Sequence, residues 1–361
     1  MSEILNEDIE KIANFYRDHL LSLANQKILI TGATGMVGSY LALTLLAAAK
    51  NFFTQEDAPK LYFSCRSEEK AKQIFGDFID SSYANFYYCP ITSLDSEIEE
   101  GDVDYVMHCA SPASPNIFKD DPVGVIDANV VYGKSLLDFS RKRNSQFCFV
   151  SSLEIYGDLK KEESPYWAVE GDFGAVSSLD QRSAYPLSKK LVENYAVAYK
   201  AQFDVPYSIA RLSHTYGPGM SIDDNRVQTS FIKSALTTGK ISLASDGLAN
   251  RTYTYIADAA AGILLGFISK LEVFNIADKD SLISIRDLAK EVLVAAGKSE
   301  ANLIFENEEH SDKLWSKITG LVVLDSTKLY QAGWVPKYSV SSGMKRSIMH
   351  FRSIAKTKYK V

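Results

Sequence analysis

The 361-residue chain is poor in the features that mark metal, disulfide, membrane and nucleic-acid proteins. It has only four cysteines, Cys65, Cys89, Cys109 and Cys148, with no paired metal-ligand spacing. Each falls in an apolar, strand-like run, which is the setting of reduced, buried thiols, so a cytoplasmic protein without a metal is expected. No apolar run reaches the ~18 residues of a membrane span, and the N-terminus lacks a secretory profile, so no membrane is expected as a partner. Positive charge is in deficit, 39 Lys and Arg against 45 Asp and Glu for a net charge of -6. That balance argues against nucleic acid bound by a basic surface. There is no internal repeat and no low-complexity tract. What remains is a globular composition, 46% hydrophobic and 23% charged, long enough for one large or two modest domains.

The first positive signal lies near residue 31. The apolar run Lys27-Ile28-Leu29-Ile30 leads into Thr31-Gly32-Ala33-Thr34-Gly35-Met36-Val37-Gly38 and then a helical pattern from Ser39 to Leu46. Glycines in a strand–turn–helix context let the turn tighten and let backbone amides approach a pyrophosphate, while the helix N-terminus favours the anion. A dinucleotide is expected here. The spacing Gly32-x-x-Gly35-x-x-Gly38 is the wider form of the fingerprint.

The second signal is Tyr185-Pro186-Leu187-Ser188-Lys189. Tyr and Lys four apart lie about one helical turn from each other, so an ammonium placed there favours the ionised phenol. A phenol serves as a base near neutral pH only when something lowers its value of ~10, and Lys189 is the candidate. Between the two motifs, the apolar strand Phe147–Val150 ends in Ser151-Ser152-Leu153-Glu154. Ligands of open α/β sheets bind at such strand ends. Ser152 is therefore placed to bond a substrate oxygen that also faces Tyr185. Glu154, two residues on, shares its strand face if the strand continues, as a second base.

These residues resemble the extended short-chain dehydrogenase/reductases that act on nucleotide sugars, the NAD-dependent epimerase/dehydratase family, and within it the UDP-glucuronate decarboxylases and 4,6-dehydratases. The likeness runs from about residue 26 to 352 and includes His108–Pro115, Arg211–Pro218, Arg251–Asp258, Leu324–Leu329 and Gly333–Pro336. It implies that Tyr185 removes the proton of the sugar 4-hydroxyl, that Lys189 holds the ribose and tunes Tyr185, and that Ser152 orients the 4-oxygen. Glu154 would then act at C5 once C4 is a ketone. His214, Arg226 and Arg251 would meet the substrate, the arginines taking its diphosphate or a carboxylate. Cofactor contacts would come from Gly32, Thr34, Gly35, Met36, Val37, Gly38, Arg66, Ala110, Ser111, Tyr185 and Lys189. A homodimer built on helices near 123–143 and 186–203 is also implied.

Three departures stand out. Leu153 occupies the position where thymidine-type dehydratases carry an acid and decarboxylases a Ser, and it cannot protonate a leaving hydroxyl. His214 replaces an Asn, and Pro90 replaces an acidic residue that meets the adenine. The cofactor choice turns on the end of the second strand, where Cys65 holds the usual acidic position and Arg66 follows. An Arg there accommodates a 2′-phosphate, so the reading is NAD(P) with a lean to NADP; the plain alternative is an Arg66 that stacks on the adenine.

The expected architecture is α/β, a Rossmann-like doubly wound parallel sheet with a smaller α/β substrate-binding lobe. Residues 1–25 are read as an added amphipathic helix. Residues 26–211 form the dinucleotide domain, with 251–280 returning to it, and 212–250 with 281–361 form the lobe. The expected function is transient oxidation at C4 of a nucleotide sugar followed by dehydration, decarboxylation or epimerisation involving C5. An NADPH-dependent 4-ketoreductase and a non-catalytic dinucleotide sensor are the other readings; the intact Ser152, Tyr185 and Lys189 argue against the sensor.

Overall fold

The computed structural model of the chain describes residues 2–98, 101, 103–159, 165–305 and 322–359. Ser2 caps the first helix, its hydroxyl accepting from the Leu5 amide at 3.3 Å. That helix, α1 (Glu3–Phe15), is separated by Tyr16 from a short α2 (Arg17–Leu21). Ile4, Ile9, Ile12, Tyr16 and Leu20 are buried while Phe15 stays half exposed. The apolar stripe is thus spent on the body of the same chain.

From there strands and helices alternate: β1 (Lys27–Thr31), α3 (Met36–Phe52), β2 (Lys60–Ser64), α4 (Glu68–Phe75), β3 (Ala84–Tyr87), α5 (Leu94–Glu97), β4 (Tyr105–His108), α6 (Pro115–Asp120), α7 (Pro122–Arg143) and β5 (Gln146–Ser152). After β6 (Tyr166–Ala168) come α8 (Ala184–Phe203) and β7 (Tyr207–Leu212). The smaller lobe begins with β8 (His214–Tyr216), α9 (Val227–Thr237), β9 (Ile241–Leu243) and β10 (Asn250–Tyr255). Then follow α10 (Ile256–Ile268), β11 (Val273–Ile276), β12 (Leu282–Ser284), α11 (Ile285–Ala295), β13 (Leu303–Phe305), β14 (Val322–Leu324), α12 (Thr327–Gln331) and α13 (Val340–Tyr359).

Among the described residues the main sheet has seven parallel strands in the order β11-β7-β5-β4-β1-β2-β3. Both faces are covered, as a parallel sheet requires. One core joins the sheet to α1, α2, α3 and α10, through residues such as Leu41, Leu45, Ile263 and Phe267. The other joins it to α7 and α8, through Leu136, Leu137, Val192 and Ala196. The chain leaves β1 to build outward through β2 and β3, then crosses back to β4, so the strand order reverses between β1 and β4. In open α/β sheets such a reversal is where ligands bind, in the crevice beyond the strand ends.

Residues 251–255 do not return to this sheet. They lie in β10, which pairs in parallel with β8 and antiparallel with β12; only α10 and β11 go back. Two further pairs, β13 with β9 and β14 with β6, complete the lobe. Among the described residues no helix is long and apolar enough to cross a membrane, and no cluster of His, Cys, Asp and Glu is suited to a metal.

Candidate active site

The dinucleotide end is built from backbone. Gly32 leaves β1 with φ of +66°, and a Cβ added to it would lie 2.7 Å from the Ala110 Cα across the crevice. A Cβ on Gly38 would lie 2.2 Å from the Gly32 carbonyl oxygen. Neither position has room for a side chain, which is how helix and strand come to pack so closely. The Gly35 amide donates to the Gly32 carbonyl at 2.9 Å and closes the turn. Gly35 then caps α3 without any side-chain bond, and no acidic residue sits in the first turn. The first amides of α3, at Met36 and Val37, are therefore left without a side-chain acceptor or a competing anion, which fits a pyrophosphate.

The opposite wall is Ala110 and Ser111, after β4. The Ser111 hydroxyl is turned inward and donates to Asn129 Oδ1 at 2.8 Å. Asn129, fully buried on α7, gives its amide to Ser188 Oγ at 2.9 Å and to the Val125 carbonyl at 3.1 Å. Ser188 in turn donates to the Tyr185 carbonyl at 2.9 Å. At the end of β2, Cys65 is buried and Arg66 exposed.

Helix α8, which carries Tyr185 and Lys189, is tied to β5 at two points. Lys189 Nζ donates to the Val150 carbonyl at 2.7 Å, and Ser151 Oγ donates to Glu193 at 2.5 Å. Glu193 is paired with Arg211 at 2.7 Å. Tyr185, in the first turn, is buried with its ring stacked on Phe118 at 4.5 Å. Burial drives its phenol above its ordinary value, and the charge of Glu154 adds to the rise. A hydrogen bond with Ser152 and the charges of Arg226 and Arg182 oppose it. The cations that relieve Tyr185 are thus arginines, and Lys189 does not bring the phenol into the neutral range. The reason is that Lys189 is itself desolvated: only 3% exposed, it is pushed down to about 7 by burial and engages Val150, with its Nζ 5.7 Å from the Tyr185 ring centre.

Strand β5 stops at Ser152, so Glu154 is not on the same strand face as Ser152. It lies in a one-turn 3₁₀ helix, Leu153–Tyr156, whose entry Ser152 caps by accepting from the Glu154 amide at 3.3 Å. Glu154 is still near enough for its charge to act on the phenol. One of its oxygens is paired with Arg182 at 2.8 Å and the other, Oε2, is buried without a partner. Arg182 Nη1 is likewise buried and unpartnered, with the guanidinium 4.8 Å from the Phe118 ring centre. Leu153 packs with Ile155, Tyr156 and Leu324 in a small apolar core, so an acid at that position would be buried among hydrocarbon.

His214, Arg226 and Arg251, expected to meet the substrate, lie close enough together for both arginines to act on the imidazole. His214 Nδ1 is buried with no partner. Burial, then the charge of Arg251, and more weakly that of Arg226, push its imidazole down to about 3 against a bond to the Thr252 backbone, so it is neutral at physiological pH. Arg226 is not a bare surface cation. It caps α9 and lies on the Asp224 carboxylate through Nε at 2.9 Å and Nη2 at 2.7 Å. Arg251, lowered by burial, gives Nη1 to the Asn250 carbonyl at 2.7 Å.

Arg182, Phe118, Asn129 and Asp224 belong to this constellation and were not foreseen from sequence. Arg182 alone carried a signal, as a basic residue three before the Tyr on the approach to its helix.

The family described as NAD dependent epimerase/dehydratase matches residues 28–277. UDP-glucuronic acid decarboxylase 4 of Arabidopsis thaliana is 27% identical over 330 residues, covering 90% of this chain and 68% of that protein. Among solved structures, an epimerase from Methanothermobacter thermautotrophicus superposes with a TM-score of 0.78 at 18% identity, covering 96% of this chain and 98% of that one. UDP-glucuronic acid 4-epimerase from Bacillus cereus, solved with NAD, gives 0.72 at 23% identity over 91% and 97%. At those identities the structural likeness is one of fold, whereas the sequence match spans more than half of the chain. The chain belongs to the NAD-dependent epimerase/dehydratase family.

Proposed function

We propose that this protein oxidises C4 of a nucleotide-linked sugar and uses the resulting 4-ketone for a second step at C5, either dehydration, loss of a carboxylate or epimerisation. The residues fit a nicotinamide dinucleotide: Gly32 and Gly38 let the turn pack tightly enough to present the uncapped start of α3 to its pyrophosphate, and Lys189 and Tyr185 lie at the strand end toward which it would extend. Bound there, the dinucleotide supplies a hydride acceptor and later a hydride donor. Tyr185 holds the proton of the 4-hydroxyl. Its raised value makes it a strong base once ionised, and Ser152, Arg226 and Arg182 lower the cost of that ionisation. Ser152 orients the 4-oxygen. The 4-ketone acidifies C5, where Glu154 takes a proton; in a sugar acid the same ketone weakens the bond to the C5 carboxylate. Arg251, Arg226 and His214 receive the anionic part of the substrate, a geometry that guanidinium groups fill bidentately.

The observation that carries this reading is the pair of unspent groups beside Tyr185. Glu154 Oε2 and Arg182 Nη1 are buried without partners, and buried polar atoms are rarely left so unless something else binds them. A relative that is a UDP-glucuronic acid decarboxylase supports a UDP-sugar acid as the first substrate to try. A lean to NADP rests on Arg66 and on the missing carboxylate at Cys65, whereas a solved neighbour holds NAD. A homodimer is supported by α7 and α8, which pack together and still expose Val123, Ile126, Val131, Leu191 and Val197.

The test is Glu154→Gln, mixed with UDP-glucuronate and other nucleotide sugars. Stopped-flow absorbance should show reduced nicotinamide forming and persisting, and mass spectrometry should show loss of water or carbon dioxide in the parent only. Turnover by the variant at the parent rate would make Glu154 a bystander and favour the 4-ketoreductase reading.

A further inference from the structure

The N-terminal helix carries a carboxylate that none of the chemistry above uses. Asp8 is fully buried, and its two oxygens are filled by four side chains from four places in the fold. Oδ2 accepts from Tyr40 at 2.9 Å and from Tyr255 at 2.7 Å. Oδ1 accepts from Tyr338 at 3.0 Å and from Arg346 Nε at 2.9 Å, with Arg346 Nη2 at 2.7 Å. Arg346 is held in addition by Glu7 at 3.0 Å and by the Ile4 carbonyl at 3.1 Å.

The origin of each partner matters. Tyr40 lies one turn into α3, the helix whose N-terminus faces the dinucleotide crevice. Tyr255 ends β10, the strand that carries Arg251 and is paired through Tyr253 to His214. Tyr338 and Arg346 come from the C-terminal segment and α13. A buried carboxylate is tolerated only when its lone pairs are met, and losing one partner strands the charge. Meeting four donors from α3, β10 and the C-terminal segment at once fixes their separation to the tolerance of a hydrogen bond.

We propose that Asp8 is a positioning residue that sets the substrate strand β10 against the dinucleotide helix α3, so that the N-terminal helix is part of the active-site alignment rather than an appendage. The inference rests on the reading of Arg251 and of the glycine turn as the two ends of the site. Loss of the carboxylate lets β10 shift relative to α3, and a misplacement near 1 Å is enough to cost about 10²-fold in a reaction between two bound groups.

Asp8→Asn and the milder Tyr255→Phe test this. Hydrogen exchange on the unliganded protein should show faster exchange in both β10 and the first two turns of α3. With UDP-glucuronate as substrate, kcat/KM should fall at least ~10-fold at a temperature well below the melting point. The proposal is overturned if either folded variant changes exchange only in α1 and α13, with kcat/KM unmoved, since Asp8 would then contribute stability alone. Should Asp8→Asn fail to fold, Tyr255→Phe decides by the same readings. If the parent turns over no nucleotide sugar, the functional reading fails while the exchange experiment still decides this one.

Discussion

The two ends of the crevice are made of different material. At the dinucleotide end the shape comes from main chain, with Gly32 and Gly38 so close to their neighbours that a methyl group has nowhere to go. At the other end, where the substrate is expected, the shape comes from side chains of distant segments, Glu154 on Arg182, Arg226 on Asp224, and His214 held neutral by burial with the charge of Arg251 adding to it. A site of the first kind tolerates almost no substitution and presents one ligand class. A site of the second kind can be re-specified by exchanging a few charged pairs, which is consistent with a family whose members run different reactions on one frame.

The contrast can be broken first at Tyr185, where the two ends meet. Tyr185→Phe should lower turnover by ~10²–10⁴-fold, the range of a general acid–base group, with dinucleotide affinity almost unchanged by calorimetry; near-normal turnover would remove Tyr185 from the chemistry. Gly38→Ala should do the reverse. Its Cβ meets the Gly32 carbonyl at 2.2 Å, so dinucleotide affinity should fall by at least ~10-fold, the equivalent of one lost charge-assisted contact, and affinity equal to the parent would show that the turn gives way more easily than its packing suggests.

A smaller effect belongs to Arg66. Arg66→Ala should weaken NADP several-fold and leave NAD untouched; a preference for NAD that survives the substitution discards the lean to NADP. The smallest is a stability effect at Lys189. Burial holds its ammonium at about 7 against an ordinary 10.5, so between those values the unfolded chain binds more protons than the folded one. Parent stability should therefore climb as pH rises through that window and fall back as pH drops toward 7. Lys189→Met should flatten this slope and raise the melting temperature by a few degrees near pH 7 while abolishing turnover, and a melting temperature lower than the parent's would contradict it.

Where main chain makes the site, the sequence was readable. The strand, glycine turn and helix at 27–46 follow from local rules, and so do the Tyr and Lys one turn apart on α8. Side-chain pairing was not readable, because Glu154 and Arg182 stand 28 positions apart and nothing local announces the contact. The effect of Lys189 on Tyr185 is not legible for a related reason: spacing gives proximity, while the largest influence on both groups is burial, which spacing does not report. The end of β5 was missed as well, since Leu153-Glu154-Ile155-Tyr156 alternates like a strand until the Ser152 hydroxyl turns it.

The chain of contacts through Asn129 has a polarity. Ser111 gives a hydrogen to Asn129, Asn129 gives one to Ser188, and Ser188 gives one to the carbonyl of Tyr185. Every link points the same way, from Ser111 toward Tyr185, and the amide receives at one atom and gives from another. An isosteric carboxylate has no hydrogen to pass on, so Asp at 129 would fill the same volume and still cut the relay in the middle. Shape is therefore an insufficient description of this position: what it sets is the direction of a run of donors, and with it the register between the Ser111 loop and the first turn of α8.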